Sequence, residues 1–159
     1  MALIIEAPNE IYSLENNKNL KLFLAGGITN CPDWQKEIIE QIKDISNLTI
    51  YNPRRASFPM GDPDAAMEQI TWEYNHLRDA DVILFWFSRG SLNPIVLYEL
   101  GRWGNSSEKP ILVGIDSLYE RKTDVKIQTW LSRPGIEFSY SIEELADDVI
   151  TLSNFINEA

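Results

Sequence analysis

Glu73 and Glu99 are the two carboxylates that the apolar pattern of this chain turns inward. Glu99 follows the run Ile95-Val96-Leu97-Tyr98 and lies one turn before Trp103, on a helix that starts at Asn93-Pro94. Asn is a favoured N-cap and Pro a favoured first helical residue. Glu73 falls three residues after Ile70 and four before Leu77, on the apolar face of another helix. A carboxylate in such a wall is poorly solvated, and its pKa moves unless a charge or a hydrogen bond meets it. Two inward carboxylates with few other reactive groups suit the cleavage of a glycosidic bond. One attacks the anomeric carbon through an oxocarbenium-like transition state, while acid catalysis helps the leaving group depart. Each residue also has a plainer reading. Glu99 can pair with Arg102, three residues on, and Glu73 can be a boundary residue that snorkels to solvent.

Other groups can serve a ligand. Gly26 and Gly27 follow an apolar strand and let a ligand approach the main chain closely; an ordinary tight turn is the alternative. Arg54 and Arg55 stand where another strand ends. They can clamp a phosphate or carboxylate, or simply pair with acids in a solvated turn. Trp34, Phe58, Trp86 and Phe87 can stack on a base, although such residues are more often core. Residues 56–65, with Pro59, Gly61 and Pro63, form a loop as long as many binding loops. The glycine signatures of dinucleotide and P-loop sites and the serine elbow of α/β-hydrolases are absent.

The elements that must position these residues follow from periodicity. Val82–Phe87 is too short for a lone helix and rich in β-branched and aromatic residues, so it reads as a strand buried on both faces. Glu99 then lies near the C-terminal end of a central strand, where open α/β sheets bind ligands. Further strands are expected at Leu3–Ala7, Leu20–Ala25, Leu48–Tyr51, Pro110–Gly114 and Ile136–Phe138, with a polar loop over Ile11–Asn19. Helices are expected over Asp33–Lys43, with Trp34, Ile38 and Ile42 inward, and over Ala65–Asp79, with Met67, Ile70, Tyr74 and Leu77 inward. A short helix follows at Asp124–Leu131. The last helix opens on a capping box, Ser141 with Glu144, and buries Ile142, Leu145, Val149 and Leu152. Strands alternating with helices imply an α/β fold, a parallel sheet between two helix layers. Its expected order is 2-1-3-4-5 over five strands counted from Leu20, with Leu3–Ala7 as an edge addition.

Composition narrows the partners. The chain has 159 residues, 44% hydrophobic, enough for a single domain spanning 1–159 with its core at about 20–157. A net charge of −10 argues against a broad basic surface for a nucleic acid polymer, but not against one nucleotide held by local groups. Cys31 is the one cysteine, so no disulfide can form within the chain. His76, beside Asn75 and Arg78, reads as solvated or capping rather than metal-binding. No apolar run approaches ~18 residues, and MALIIEAPNE lacks the basic region of a signal peptide. A cytoplasmic protein without a membrane partner, metal or cofactor is expected.

The segments LFLAGGITNCPDWQ, YNPRR, QITWEYNHLRDADVILFWF, LNPIVLYELG and ILVGIDSLYERKTDV resemble the nucleoside 2-deoxyribosyltransferase-like superfamily, over about residues 20–131. The nearest likeness is to members whose motif reads Pro-Ile-x-Leu-x-Glu-Leu-Gly. The resemblance implies a flavodoxin-like three-layer sandwich. It also implies cleavage or exchange of the N-glycosidic bond of a nucleoside or nucleoside monophosphate, with no cofactor. It makes Glu99 the nucleophile and Glu73 the acid that handles the base's proton. It brings Asn93 to the sugar or a phosphate and lays Ala25–Ile28 over the substrate. Asn93-Pro94 departs from the usual acid or serine followed by glycine and threonine, which leaves nucleoside against 5′-monophosphate open. A non-catalytic nucleotide-binding protein is the alternative. Relatives are dimers or higher oligomers in which a neighbour closes the pocket. A homo-oligomer is expected here too, since helix 94–104 is more apolar than one sheet face needs and Trp103 and Trp130 are expected to be partly exposed in a monomer.

Overall fold

The computed structural model describes residues 1–10, 18–106 and 108–158. In chain order the elements are β1 (Leu3–Glu6), β2 (Leu20–Gly26), α1 (Trp34–Ile42), β3 (Leu48–Asn52), α2 (Pro63–Asp79), β4 (Val82–Phe87), α3 (Pro94–Gly104), β5 (Ile111–Ile115), α4 (Lys122–Ser132), β6 (Phe138–Ser139) and α5 (Ile142–Glu158). Of the loop expected over Ile11–Asn19, residues 11–17 lie outside the described residues.

All the strands pair in parallel, in one sheet ordered β1-β3-β2-β4-β5-β6. The sheet therefore has six strands rather than five. The sixth is β1, which adds to the edge beside β3; without it the order is the expected 2-1-3-4-5. Each strand sends alternate side chains to opposite faces. Phe23, Ile83, Phe85 and Phe87 meet Trp72 and Leu77 of α2, Val96 and Leu100 of α3 and Val125 of α4. Leu22, Leu24, Val82 and Leu84 meet Trp34, Ile38 and Ile42 of α1 and Ile142, Leu145 and Val149 of α5. All six residues of β4 are buried, as a central strand covered on both faces requires. The chain reverses direction across the sheet between β2 and β4. That leaves a crevice at their C-terminal ends.

The face that α2 buries differs from the expected one. Met67, Ile70 and Tyr74 are 70%, 64% and 43% exposed, while Ala65, Trp72, His76 and Leu77 are buried. The helix carries two competing apolar stripes about one residue apart, and the one with the larger aromatic wins the sheet. Trp72 packs against Phe23 and Tyr51, and its Nε1 donates to the carbonyl of Asn9 at 2.9 Å. His76 is not solvated. It stacks on Trp72 at 4.0 Å, meets Tyr51 edge-on at 4.5 Å and brings Nδ1 within 2.8 Å of the Trp72 carbonyl.

Two cations close the C-terminal ends of the carboxylate-bearing helices, where they oppose the helix dipole. Lys109 Nζ donates to the carbonyls of Leu77, Arg78 and Ala80 beyond α2. Arg133 donates to those of Trp103, Gly104, Ser106 and Lys109 around the end of α3.

Candidate active site

A pocket of about 270 Å³ occupies the crevice at the C-terminal ends of β2 and β4. Phe23 and the loop Ala25–Thr29 line one side, Pro53 the end, Glu73 of α2 another, and Ser91 with Asn93–Val96 and Glu99 the last. It is a mostly apolar cleft with a few convergent polar groups, the usual form of a small-molecule site.

Glu73 and Glu99 reach this pocket from two different helices. Glu99 has no hydrogen bond or ion pair with any described residue. Arg102, its expected partner, places its guanidinium over the rings of Tyr74 at 4.9 Å and Trp103 at 5.5 Å instead. Burial, reinforced by the charge of Glu73, pushes the Glu99 carboxyl up to about 8. Burial also raises Glu73, but a hydrogen bond from Gln69 and the Arg55 guanidinium pull against it. Like charges that share a low-dielectric site cannot both ionise readily. Of the two, Glu73 is the better supported as an anion.

The glycines are fixed by close approach. A Cβ on Gly26 would lie 2.1 Å from Cζ2 of Trp34, and one on Gly27 would lie 1.7 Å from Oδ1 of Asn93. Trp34 Nε1 donates to the Gly27 carbonyl at 3.0 Å, so the indole holds the loop from below. Trp34 and Phe87 are 1% and 0% exposed and neither lines the pocket, so both are core rather than stacking platforms. Phe87 packs against Tyr119 at 5.2 Å.

Asn93 lines the pocket, but its side chain is already used. Its Nδ2 donates to the carbonyls of Ser88 at 3.0 Å and Ser91 at 2.8 Å, and its Oδ1 accepts from the Cys31 thiol at 3.5 Å. It sits in the left-handed region, with φ 51°, at the N-cap position of α3 and makes no side-chain cap. Asn tolerates that conformation better than most residues. The first turn of α3 therefore faces the pocket without the side-chain acceptor expected of an N-cap.

Neither arginine lines the pocket. Arg54 is bonded within the chain. Its guanidinium donates to the carbonyls of Pro32 at 2.8 Å and Cys31 at 3.2 Å and to Gln35 Oε1 at 3.2 Å, with Asp33 at 3.7 Å. It braces the turn into α1. Arg55 donates to Gln69 Oε1 at 2.6 Å and Glu68 Oε1 at 2.8 Å, and faces the Phe58 ring. Gln69, Ser91 and Thr29 were not singled out in the sequence. Only Gln69 left a signal, the i,i+4 spacing that lets it reach Glu73.

A second cleft of about 260 Å³ lies between α3 and α4, but its charged residues, Arg121 and Asp124, pair with each other at 3.1 Å. Among the described residues, no three of His, Cys, Asp and Glu are grouped to hold a metal ion. No described helix is long and apolar enough to cross a membrane. No curated protein matches the chain in sequence. One family model does, over residues 19–118, and it is described as nucleoside 2-deoxyribosyltransferase like. Those residues run from the start of β2 through β5 and include every residue that lines the pocket.

Proposed function

The chain belongs to the nucleoside 2-deoxyribosyltransferase-like family, and on that footing we propose that it cleaves or exchanges the base of a (deoxy)nucleoside through a covalent glycosyl-enzyme. The observation that carries this reading is the pair of carboxylates brought from α2 and α3 into one apolar pocket, with Glu99 left unpartnered. Glu99 attacks C1′ and the bond from C1′ to the base nitrogen breaks. A Glu99 ester to the sugar forms, and the base leaves with the bonding electron pair. A second base or a water then attacks C1′ and releases the ester. Glu99 must shed its proton before it attacks, and the departing base needs one. A proton passed from Glu99 to Glu73, and from Glu73 to the base, serves both steps.

Of the two substrate classes, the nucleoside suits the pocket better than the monophosphate. The lining carries two carboxylates and no Lys, Arg or His, and both nearby arginines are engaged. The alternative of a non-catalytic nucleotide-binding protein draws on the same raised Glu99. With its pKa at about 8, only about a tenth of molecules carry the nucleophile charged at pH 7.

We also read the protein as a homodimer. The exposed face of α2 runs Asp64, Met67, Ile70, Tyr74, Arg78, acidic at one end, apolar in the middle and basic at the other. Such a stripe is complementary to itself about a two-fold axis near Ile70, with Asp64 meeting Arg78 of the second copy. Ile95 and Tyr98 of α3, 63% and 71% exposed, extend the apolar patch, and Ile95 also lines the pocket. A second copy seated there would cover part of the mouth.

The decisive experiment incubates the protein with a panel of nucleosides and monophosphates, with and without a free acceptor base. A swapped base identifies a transferase and a free base without acceptor a hydrolase. With a slow substrate such as a 2-fluoro sugar, the sugar mass should stay on the peptide that contains Glu99. Glu99→Gln should lower turnover by at least ~10³, about 4 kcal/mol in barrier. Binding without turnover by the wild type would favour the non-catalytic reading, and a label on Glu73 would reverse the two roles.

A further inference from the structure

Gln69 bears on the site without lining the pocket. Its Nε2 donates to Glu73 Oε1 at 2.7 Å and to the Pro53 carbonyl at 2.8 Å, and its Oε1 accepts from Arg55 Nε at 2.6 Å. The three contacts agree on one orientation of the amide. A flipped Gln69 would set its oxygen against a carboxylate and a carbonyl, and its NH2 against a guanidinium. Arg55 is itself held. Its side chain is 7% exposed, its Nη2 donates to Glu68 Oε1 at 2.8 Å, and its guanidinium faces the Phe58 ring at 5.3 Å. A chain of polar contacts thus runs from Glu68 through Arg55 and Gln69 to one oxygen of Glu73, and no described residue hydrogen-bonds to the other.

We propose that Gln69, locked by Arg55, is the positioning residue for Glu73, occupying Oε1 so that Oε2 alone is presented to the leaving base. The inference rests on the glycosyl-transfer reading given above for the roles of the two glutamates. A free glutamate has three rotatable bonds and two equivalent oxygens, and ordering it costs side-chain entropy. Here that cost is met in folding, before substrate arrives. The second effect is electrostatic. The charged group that favours ionisation of Glu73 is Arg55 from the loop before α2, and the charge of Glu73 in turn opposes ionisation of Glu99 on α3. Gln69 adds a hydrogen bond to the charged form. The relay thereby keeps the negative charge on Glu73 and the proton on Glu99 in the empty site.

Gln69→Ala and Arg55→Lys test this, the second keeping the charge but losing the Nε–H to Gln69. The titration of Glu73 is followed by carbon-13 NMR of the side-chain carboxyls, assigned with Glu73→Gln. Its midpoint should rise in Gln69→Ala and rise less in Arg55→Lys. In turnover of a nucleoside, Gln69→Ala should lower kcat by about 10- to 100-fold, the size of a lost hydrogen bond to a charged group, with KM changed less than about twofold. In a Glu73→Gln background the same substitution should cost nothing more, since coupled residues are not additive. A Glu73 titration unmoved in both variants overturns the proposal, as does a Gln69→Ala loss that persists in full once Glu73 is gone. A wild type that turns over no nucleoside defeats the glycosyl-transfer reading, and the NMR midpoint still decides whether Gln69 controls Glu73.

Discussion

Replacing Glu99 by Gln should stabilise the folded protein, increasingly so as pH rises. Glu99 is raised from the ordinary 4.5 to about 8 by burial and by the charge of Glu73. At about 1.4 kcal/mol per pH unit, holding it charged in the fold costs about 5 kcal/mol. The sign follows from proton counting. Between these two values the folded state binds the proton more tightly than the unfolded state, so the stability due to Glu99 is full below about 4.5 and is lost as pH climbs through about 8. Gln resembles the protonated carboxyl in shape and does not titrate. The variant should therefore match the wild type at pH 4.5 and exceed it by up to about 5 kcal/mol at pH 9. In a chain of this size that is roughly 10–20 °C in Tm. Differential scanning calorimetry of both proteins at pH 5, 7 and 9 measures it. A Tm difference that is constant across that range, or that shrinks at high pH, would refute the argument that Glu99 is buried without a partner.

Other substitutions probe the neighbouring parts. Gly27→Ala should abolish ligand binding and cost at least ~2 kcal/mol of stability, because the new methyl collides with Asn93 Oδ1 and the Cys31 thiol; binding and chemical denaturation measured together would show it. Arg54→Ala should destabilise by ~1.5–3 kcal/mol through the lost contacts to Cys31, Pro32 and Gln35, while the ratio of nucleoside to monophosphate affinity stays unchanged; a selective loss of monophosphate binding would restore it as an anion clamp. Ile70→Glu on the exposed stripe of α2 should yield a monomer by sedimentation at micromolar concentration, with the fold intact by circular dichroism. A wild type that sediments only as monomer would rule out the dimer. The kcat/KM for a nucleoside should fall as pH climbs through about 8, because the pair then loses the proton that the leaving base needs; a profile flat from pH 5 to 9 would contradict that.

Much of this architecture was legible in the sequence because local signals and the global fold agree. The run Val82–Phe87 could only be a covered strand, and the spacing of Trp34, Ile38 and Ile42 places α1 correctly on the sheet. Glu99 was readable as inward because it lies between Val96 and Leu100 on the buried side of α3, whereas Glu73 lines the pocket even though Ile70, whose spacing suggested its inward face, is exposed. The α2 face was misjudged because periodicity finds an apolar stripe without saying what covers it, and a lone Trp72 outweighed Met67 and Ile70. The sequence leaves the arginines open between an anion clamp and a turn paired with acids, for a different reason. What Arg54 bonds to lies 19 to 23 residues away, mostly main-chain carbonyls that no sequence pattern advertises. Gln69 is uncharged and ordinary in a helix, and only the geometry around Glu73 gives it a task.

The interlock of Gly27, Cys31 and Asn93 has a bearing on how the chain acquires its structure. Cys31 and Asn93 are 62 residues apart, and the pocket draws its wall from segments between Phe23 and Glu99. Contacts so distant in sequence raise the contact order and carry the loop-closure entropy of the intervening chain. During synthesis, then, nothing shorter than the first hundred or so residues contains a pocket. A collapsed intermediate with its helices already formed would still lack one.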